Sequence, residues 1–249
     1  MSEAEIYDRF VEWLQKSWFG VPESEYMLKT VKATYSPDEA AFLTGIPFRP
    51  TPLAALAEQK QMDEALLGNK LDELACKGLV WRIMGADENS YYLNDLFFVI
   101  MRSAFWPGRQ DEKTVEMARQ TNKYYYNGMF KDLNRIKVGG LRTLPIETTI
   151  EDTREIRPYE DVVALLDRFN YYTVSNCPCR QRKKLDPDYE ESKKPMEVCL
   201  HFDELGKYIV ESGMGREVSR EETEAILLQS AKAGLVHGVS NWEQKPDTI

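Results

Sequence analysis

Histidine and cysteine are scarce in this 249-residue chain, which has two of the first and four of the second. With so few histidines, Ser–His–Asp or His–Cys catalysis has few ways to assemble. No convincing acid–base pair stands out either. GMGR at 213–216 lacks the lysine and spacing of a phosphate loop, and reads as a glycine-ended helix with a turn. The chain is therefore not expected to be a catalyst by itself. Four cysteines do not make a disulfide framework. No apolar run reaches the roughly 18 residues of a membrane helix. The opening MSEAEIYDRF is acidic, where a secretory signal is basic and then apolar. Both absences point to a cytoplasmic chain with reduced thiols and no membrane association. Positive charge is also short, with 32 Lys and Arg against 41 Asp and Glu, a net charge of -9. Nucleic acid is not expected as a partner, because attraction to phosphate is electrostatic.

What is present is enough apolar sequence, 43% of residues, for a packed core in one large domain or two small ones. Residues 3–18 predict an amphipathic helix with Ile6, Phe10, Trp13 and Leu14 on one face. Ser36 is placed to cap a helix that starts at Pro37 and carries Asp38 and Glu39 in its first turn. Thr51 and Pro52 repeat that start signal before LAALAEQ. A third helix is expected from about Asp63 to Lys77, with Leu67, Leu71 and Leu74 in a stripe and Gly78 as its stop. LVWRIM and SYYLND read as strands joined by GADEN. Three helices and a hairpin, in that order, predict a winged helix. Its third helix would enter a DNA groove, yet it carries Asp63, Glu64, Asp72 and Glu73 against Lys70 and Lys77. A protein-interaction module is the expectation instead.

Thr114 to Leu133 is helical in pattern, with Val115, Ala118 and Met129 apolar, and Gly139-Gly140 marks a break. Beyond it, LRTLPIETTI predicts a strand, YEDVVALLDRF a helix, and YYTVSN a strand leading to Cys177. Phe202, Leu205 and Ile209 line a helix ended by Gly213. Ser219 and Glu222 form a capping-box pair for the last helix, Gly234 closes it, and LVHGVS is a final strand. The predicted organisation is α/β of the α+β kind. Residues 1–105 form a helical extension and winged helix, 106–140 a linking helix, and 141–249 a small cysteine-containing α+β domain.

Three of the four cysteines fall in SNCPCRQRKKLDPDYEESKKPMEVCLHF. Cys177-Pro178-Cys179 is followed, after nineteen residues, by Cys199-Leu200-His201. Thiolates are soft donors that select iron–sulfur clusters, zinc or copper(I). Cys199 is expected just before a helix, whose free N–H groups would offset the charge of such a centre. Arg180, Arg182, Lys183 and Lys184, with Lys193 and Lys194, add positive charge that would tune the centre or dock a partner. A solvated charged loop is the plainer reading of that run. Iron–sulfur clusters usually take four cysteines, so His201 or His237 stands as a candidate fourth ligand. Cys177, Cys179, Cys199 and His201 would alternatively make a Cys3His structural zinc site. A third alternative keeps the three cysteines as reduced core residues without metal. Cys76, in LDELACKGL, reads as a small buried hydrophobe.

The stretches YSPDEAAFL, LDELACKGLVWR, RPYEDVVALL, SNCPCR, EVCLHF, GMGREVSREE and AKAGLVHGVSN, in that order, cover most of the chain. In them the sequence resembles a family of anaerobe proteins that join an N-terminal winged helix to a cysteine-rich, 4Fe-4S ferredoxin-type region. The resemblance implies cluster binding by Cys177, Cys179 and Cys199. It also implies electron transfer or redox sensing with a redox partner protein or subunit, or as a homo-oligomer. A redox-responsive winged-helix regulator is the alternative in the same frame. The pattern also implies a further cysteine within QRKKLDPDYEESKKPME, where this sequence has none, and a Cys-rich stretch after NWEQKPDTI.

Overall fold

The computed structural model describes residues 1–85, 88–129, 141–144 and 162–240, with 141–144 and Ser240 described by backbone alone. Helices and small antiparallel sheets form an α+β protein of two compact units. One unit comprises Met1–Arg135 with Pro178–Glu191, and the other Ile136–Cys177 with Ser192–Ile249. Elements are numbered here in chain order.

In the first unit, α1 (Glu3–Leu14) opens on a reciprocal Ser2/Glu5 capping box and buries Tyr7, Phe10 and Leu14. It stops short of the expected residue 18 because the Gln15 side chain turns the chain back. That amide donates to the Val21 carbonyl and accepts from the Val21 N–H. A helix with no sequence expectation follows, α2 (Met27–Thr34). In α3 (Pro37–Leu43), Ser36 accepts from the Glu39 N–H at 3.2 Å and the Glu39 carboxylate accepts from the Ser36 N–H at 2.8 Å. The expected cap is thus doubled into a box. Ser36→Ala should cost about 1 kcal/mol in urea unfolding; an unchanged midpoint would show that tertiary packing alone holds α3.

Thr51 and Pro52 directly precede the expected helix, with Pro52 at its N-cap position but no side-chain cap bond. They form β1 (Thr51–Pro52), paired with the later hairpin. The next helix, α4 (Leu53–Lys60), takes its caps from that hairpin. Asn89 accepts from the Leu53 N–H at 3.0 Å and the Glu88 carboxylate from the Ala54 N–H at 2.6 Å. Asp63 caps α5 (Glu64–Cys76), and Leu67, Leu71 and Leu74 are buried as the stripe requires. The hairpin is β2 (Val80–Ile83) and β3 (Ser90–Leu93), giving an antiparallel sheet of order β1-β3-β2. Asp95 does not continue the strand. It caps α6 (Leu96–Phe98), accepting from the Phe98 N–H at 2.9 Å, and the helix widens into a π turn over Val99–Ser103. Next, α7 (Glu112–Tyr124) starts behind Asp111 and ends in a π turn over Tyr125–Met129, with Met117, Ala118 and Met129 buried. Its expected end at Leu133 and the break at Gly139-Gly140 lie outside the described residues.

The second unit holds β4 (Leu141–Leu144), α8 (Val162–Leu166) and β5 (Tyr172–Asn176). The chain then supplies α9 (Pro178–Leu185) to the first unit. There Gln181, Arg182 and Leu185 are buried, and Leu185 joins Phe105, Met117 and Ala118. The second unit resumes with β6 (Glu197–Phe202), α10 (Asp203–Glu211), β7 (Arg216–Glu217), α11 (Arg220–Lys232) and β8 (His237–Ser240). Its sheets are β6-β5-β7 and β4-β8, both antiparallel. Val174, Leu200 and Phe202 enter the core with Val162, Leu166 and Leu227. Ser219 caps α11, but the Glu222 carboxylate does not complete the box; it lies 2.7 Å from Arg216. No described helix is long and apolar enough to cross a membrane.

Candidate metal centre

The segment expected to be a cysteine loop is a helix and a strand, α9 and β6. In the second unit, Ser175 of β5 pairs with Cys199 of β6. One residue past β5, the Cys177 N–H donates to the Met196 carbonyl at 2.7 Å, adding a rung to the ladder. Cys177 and Cys199, far apart in sequence, therefore sit at the same end of one β ribbon, and both thiols are partly exposed. Cys199 does not precede a helix. It lies within β6, and α10 opens only at Asp203. The cysteine that does precede one is Cys177, just before α9. Cys179, exposed, is the second residue of α9 in the first unit.

Neither histidine stands open. His201 is fully buried, and its Nε2 lies 2.8 Å from the Ser175 hydroxyl. The strand carrying His237 pairs with β4 rather than with the cysteine-bearing ribbon. His237 Nε2 donates to the Leu227 carbonyl at 3.1 Å. Burial pushes its pKa below 6.5, and the Leu227 bond opposes this only in part. The imidazole is thus more easily protonated in the unfolded chain. Its contribution is intact above about pH 6.5 and lost as pH falls toward the folded value. Urea midpoints at about pH 7.5 and about pH 5 should diverge less in His237→Gln, which keeps a donor and does not titrate. An equal pH effect in both proteins would place the titration elsewhere.

The basic run divides in two. Lys183 and Lys184 are exposed, the first over the Tyr189 ring and the second 2.9 Å from Glu191. Arg182, by contrast, is not solvated: it is 4% exposed. Its guanidinium lies 5.3 Å from the Tyr125 ring centre, and Nη1 donates to the Met101 sulfur at 3.3 Å. Arg180 is half-buried, with Nε buried and, among the described residues, without an acceptor. Tyr125 and Met101 went unnoticed as neighbours of this run because they arrive from separate helices. Cys76, expected inside, is exposed, since it falls off the α5 leucine stripe.

Among the described residues, no three His, Cys, Asp or Glu side chains converge as a group that could hold a metal ion. Cys177, Cys179, Cys199 and His201 are all described, and they are not brought together as such a group, either as three cysteines or with the histidine. On α5 the cations are neutralised. Lys77 lies 2.6 Å from Glu73 and 3.1 Å from Glu39, and Lys70 lies 4.0 Å from Glu73. Comparison with protein-family models, curated proteins and solved structures returned no match to this chain.

Proposed function

We propose that the chain is an iron–sulfur protein of the 4Fe-4S type, with Cys177, Cys179 and Cys199 as ligands, which passes electrons or senses redox state within a larger assembly. The observation that carries this reading is the β5–β6 pairing, which holds Cys177 and Cys199 at one end of a ribbon while Cys179 follows two residues on. When bound, the cluster supplies reversible one-electron chemistry. The protein's own part would be to supply the sulfurs of Cys177 and Cys199 from the β5–β6 ribbon, with Cys179 two residues further along the chain. We read the first unit as a winged helix with a helical extension, supported by its element order and its β1-β3-β2 sheet. Residues 1–105 hold sixteen acidic and ten basic side chains, which favours protein contacts over a nucleic-acid surface. The test is anaerobic purification with iron, sulfide and zinc analysis. Iron with matching sulfide and broad visible absorbance is the expected result; stoichiometric zinc without colour would overturn it.

A further inference from the structure

Arg182 is a charged side chain folded into the first unit, only 4% exposed. A guanidinium carries five N–H donors and accepts nothing. Here Nη1 donates to the Met101 sulfur, a weak acceptor, and the Tyr125 ring takes up another side of the group. Among the described residues no carboxylate pairs with it. Asp186, just past α9, is committed elsewhere: it accepts from the Asn122 amide at 2.7 Å and from the Asp188 N–H at 3.2 Å. Nε and Nη2 of Arg182 are not sealed from solvent, so part of the guanidinium fork stays open. A desolvated charge left in this way is costly until an anion meets it.

Tyrosines surround the group. Tyr126 is 46% exposed; its ring meets Tyr125 edge to face at 5.1 Å and stacks on Tyr189 at 6.2 Å. Burial lowers the Arg182 pKa, and the charged forms of Cys179, Tyr126, Tyr125 and Tyr189 oppose that, which sets these side chains beside the guanidinium. The other cations of α9 are differently placed. Lys184 is paired with Glu191, and Lys183 lies over Tyr189 in solvent.

We propose that Arg182 and Tyr126 form a binding site for a small aromatic monocarboxylate, held by paired N–H bonds from the guanidinium while its ring packs on Tyr126. The site lies within the first unit and does not rest on the cluster reading. A carboxylate has the two coplanar oxygens that a guanidinium fork matches. Its single charge balances the single buried cation. A phosphate dianion would bring a second charge toward Asp186 and Asp188, whose fields already reach Tyr189. The exposed phenol ring favours a ligand with an aromatic face.

The experiment is isothermal titration calorimetry of the full chain with sodium benzoate, against sodium chloride at equal ionic strength. Benzoate should bind saturably, one per chain, with a Kd of about 1 mM. Arg182→Met should weaken it at least about tenfold. An apolar side chain of similar volume in place of a buried charge is often neutral or stabilising, and circular dichroism checks the fold. Arg182→Lys, which keeps the charge without the fork, should recover only part of the loss. Tyr126→Ala changes an exposed side chain and should weaken binding about fivefold. Lys183→Gln should bind like wild type. Inorganic phosphate should bind at least about tenfold more weakly than benzoate. No saturable heat with wild type, or equal affinity in wild type, Arg182→Met and Tyr126→Ala, overturns the site. Phosphate binding as tightly as benzoate overturns the choice of a carboxylate. The iron and sulfide content of the same preparation decides the cluster reading separately.

Discussion

The Cys177→Ser, Cys199→Ser double variant should lose at least about tenfold of the iron and acid-labile sulfide held by anaerobically loaded wild type, and the visible absorbance with it. Cys177 and Cys199 are chosen because they belong to the same unit and the same ribbon. The backbone bond from Cys177 N–H to the Met196 carbonyl does not involve the side chain, so the change to serine leaves it in place. Both thiols are partly exposed, which keeps the folding cost of either change small. Cys76→Ser is the control. That thiol is exposed at the end of α5, and its loss should leave the iron content unchanged. Circular dichroism of the double variant separates lost metal from lost fold. Full iron retention in a folded double variant would remove these two residues from the ligand set.

The largest stability effect is expected at Gly215. A Cβ there would lie 2.6 Å from the Val174 carbonyl oxygen, 2.8 Å from Ile209 Cγ2 and 3.2 Å from Ser175 Cβ. Two of those contacts belong to β5, and the third to α10, so neither side can yield without disturbing the sheet. Gly215→Ala should therefore cost about 3 kcal/mol in urea unfolding. It should also weaken iron loading, because β5 leads directly to Cys177. Gly213 makes the comparison. Its φ is +65°, but a Cβ there meets nothing within 4 Å. Gly213→Ala should carry only the left-handed strain, about 1 kcal/mol. If the two variants unfold at the same urea concentration, the close approach at Gly215 is not what limits that packing.

Some of this architecture is readable residue by residue. The caps at Ser36 and Asp63, the stripe of Leu67, Leu71 and Leu74, and the hairpin around GADEN all rest on groups within a few positions of one another. Those interactions are decided locally by hydrogen-bond geometry and side-chain periodicity. Clustering of three cysteines was equally plain. The misplaced elements share the opposite property. Thr51 and Pro52 signal the start of α4, but nothing near them announces the strand they also form, whose partners Ser90 and Tyr91 lie far along the chain. Asp95 sits in a strand-like run, but its carboxylate meets the N–H groups of a helix the pattern did not announce. His237 ends beside Leu227, on a strand whose partner is β4.

The sequence by itself determined the chemical inventory: few histidines, three clustered thiols, a basic run after them, and an acidic first half. Tertiary structure alone decided which members of that inventory are usable. It drew Cys177 and Cys199 to one ribbon through long-range strand pairing, occupied His201 with Ser175, and drove Arg182 inside while leaving Lys183 and Lys184 in water. Burial and pairing between distant segments depend on where whole elements pack, and no short stretch of residues encodes that.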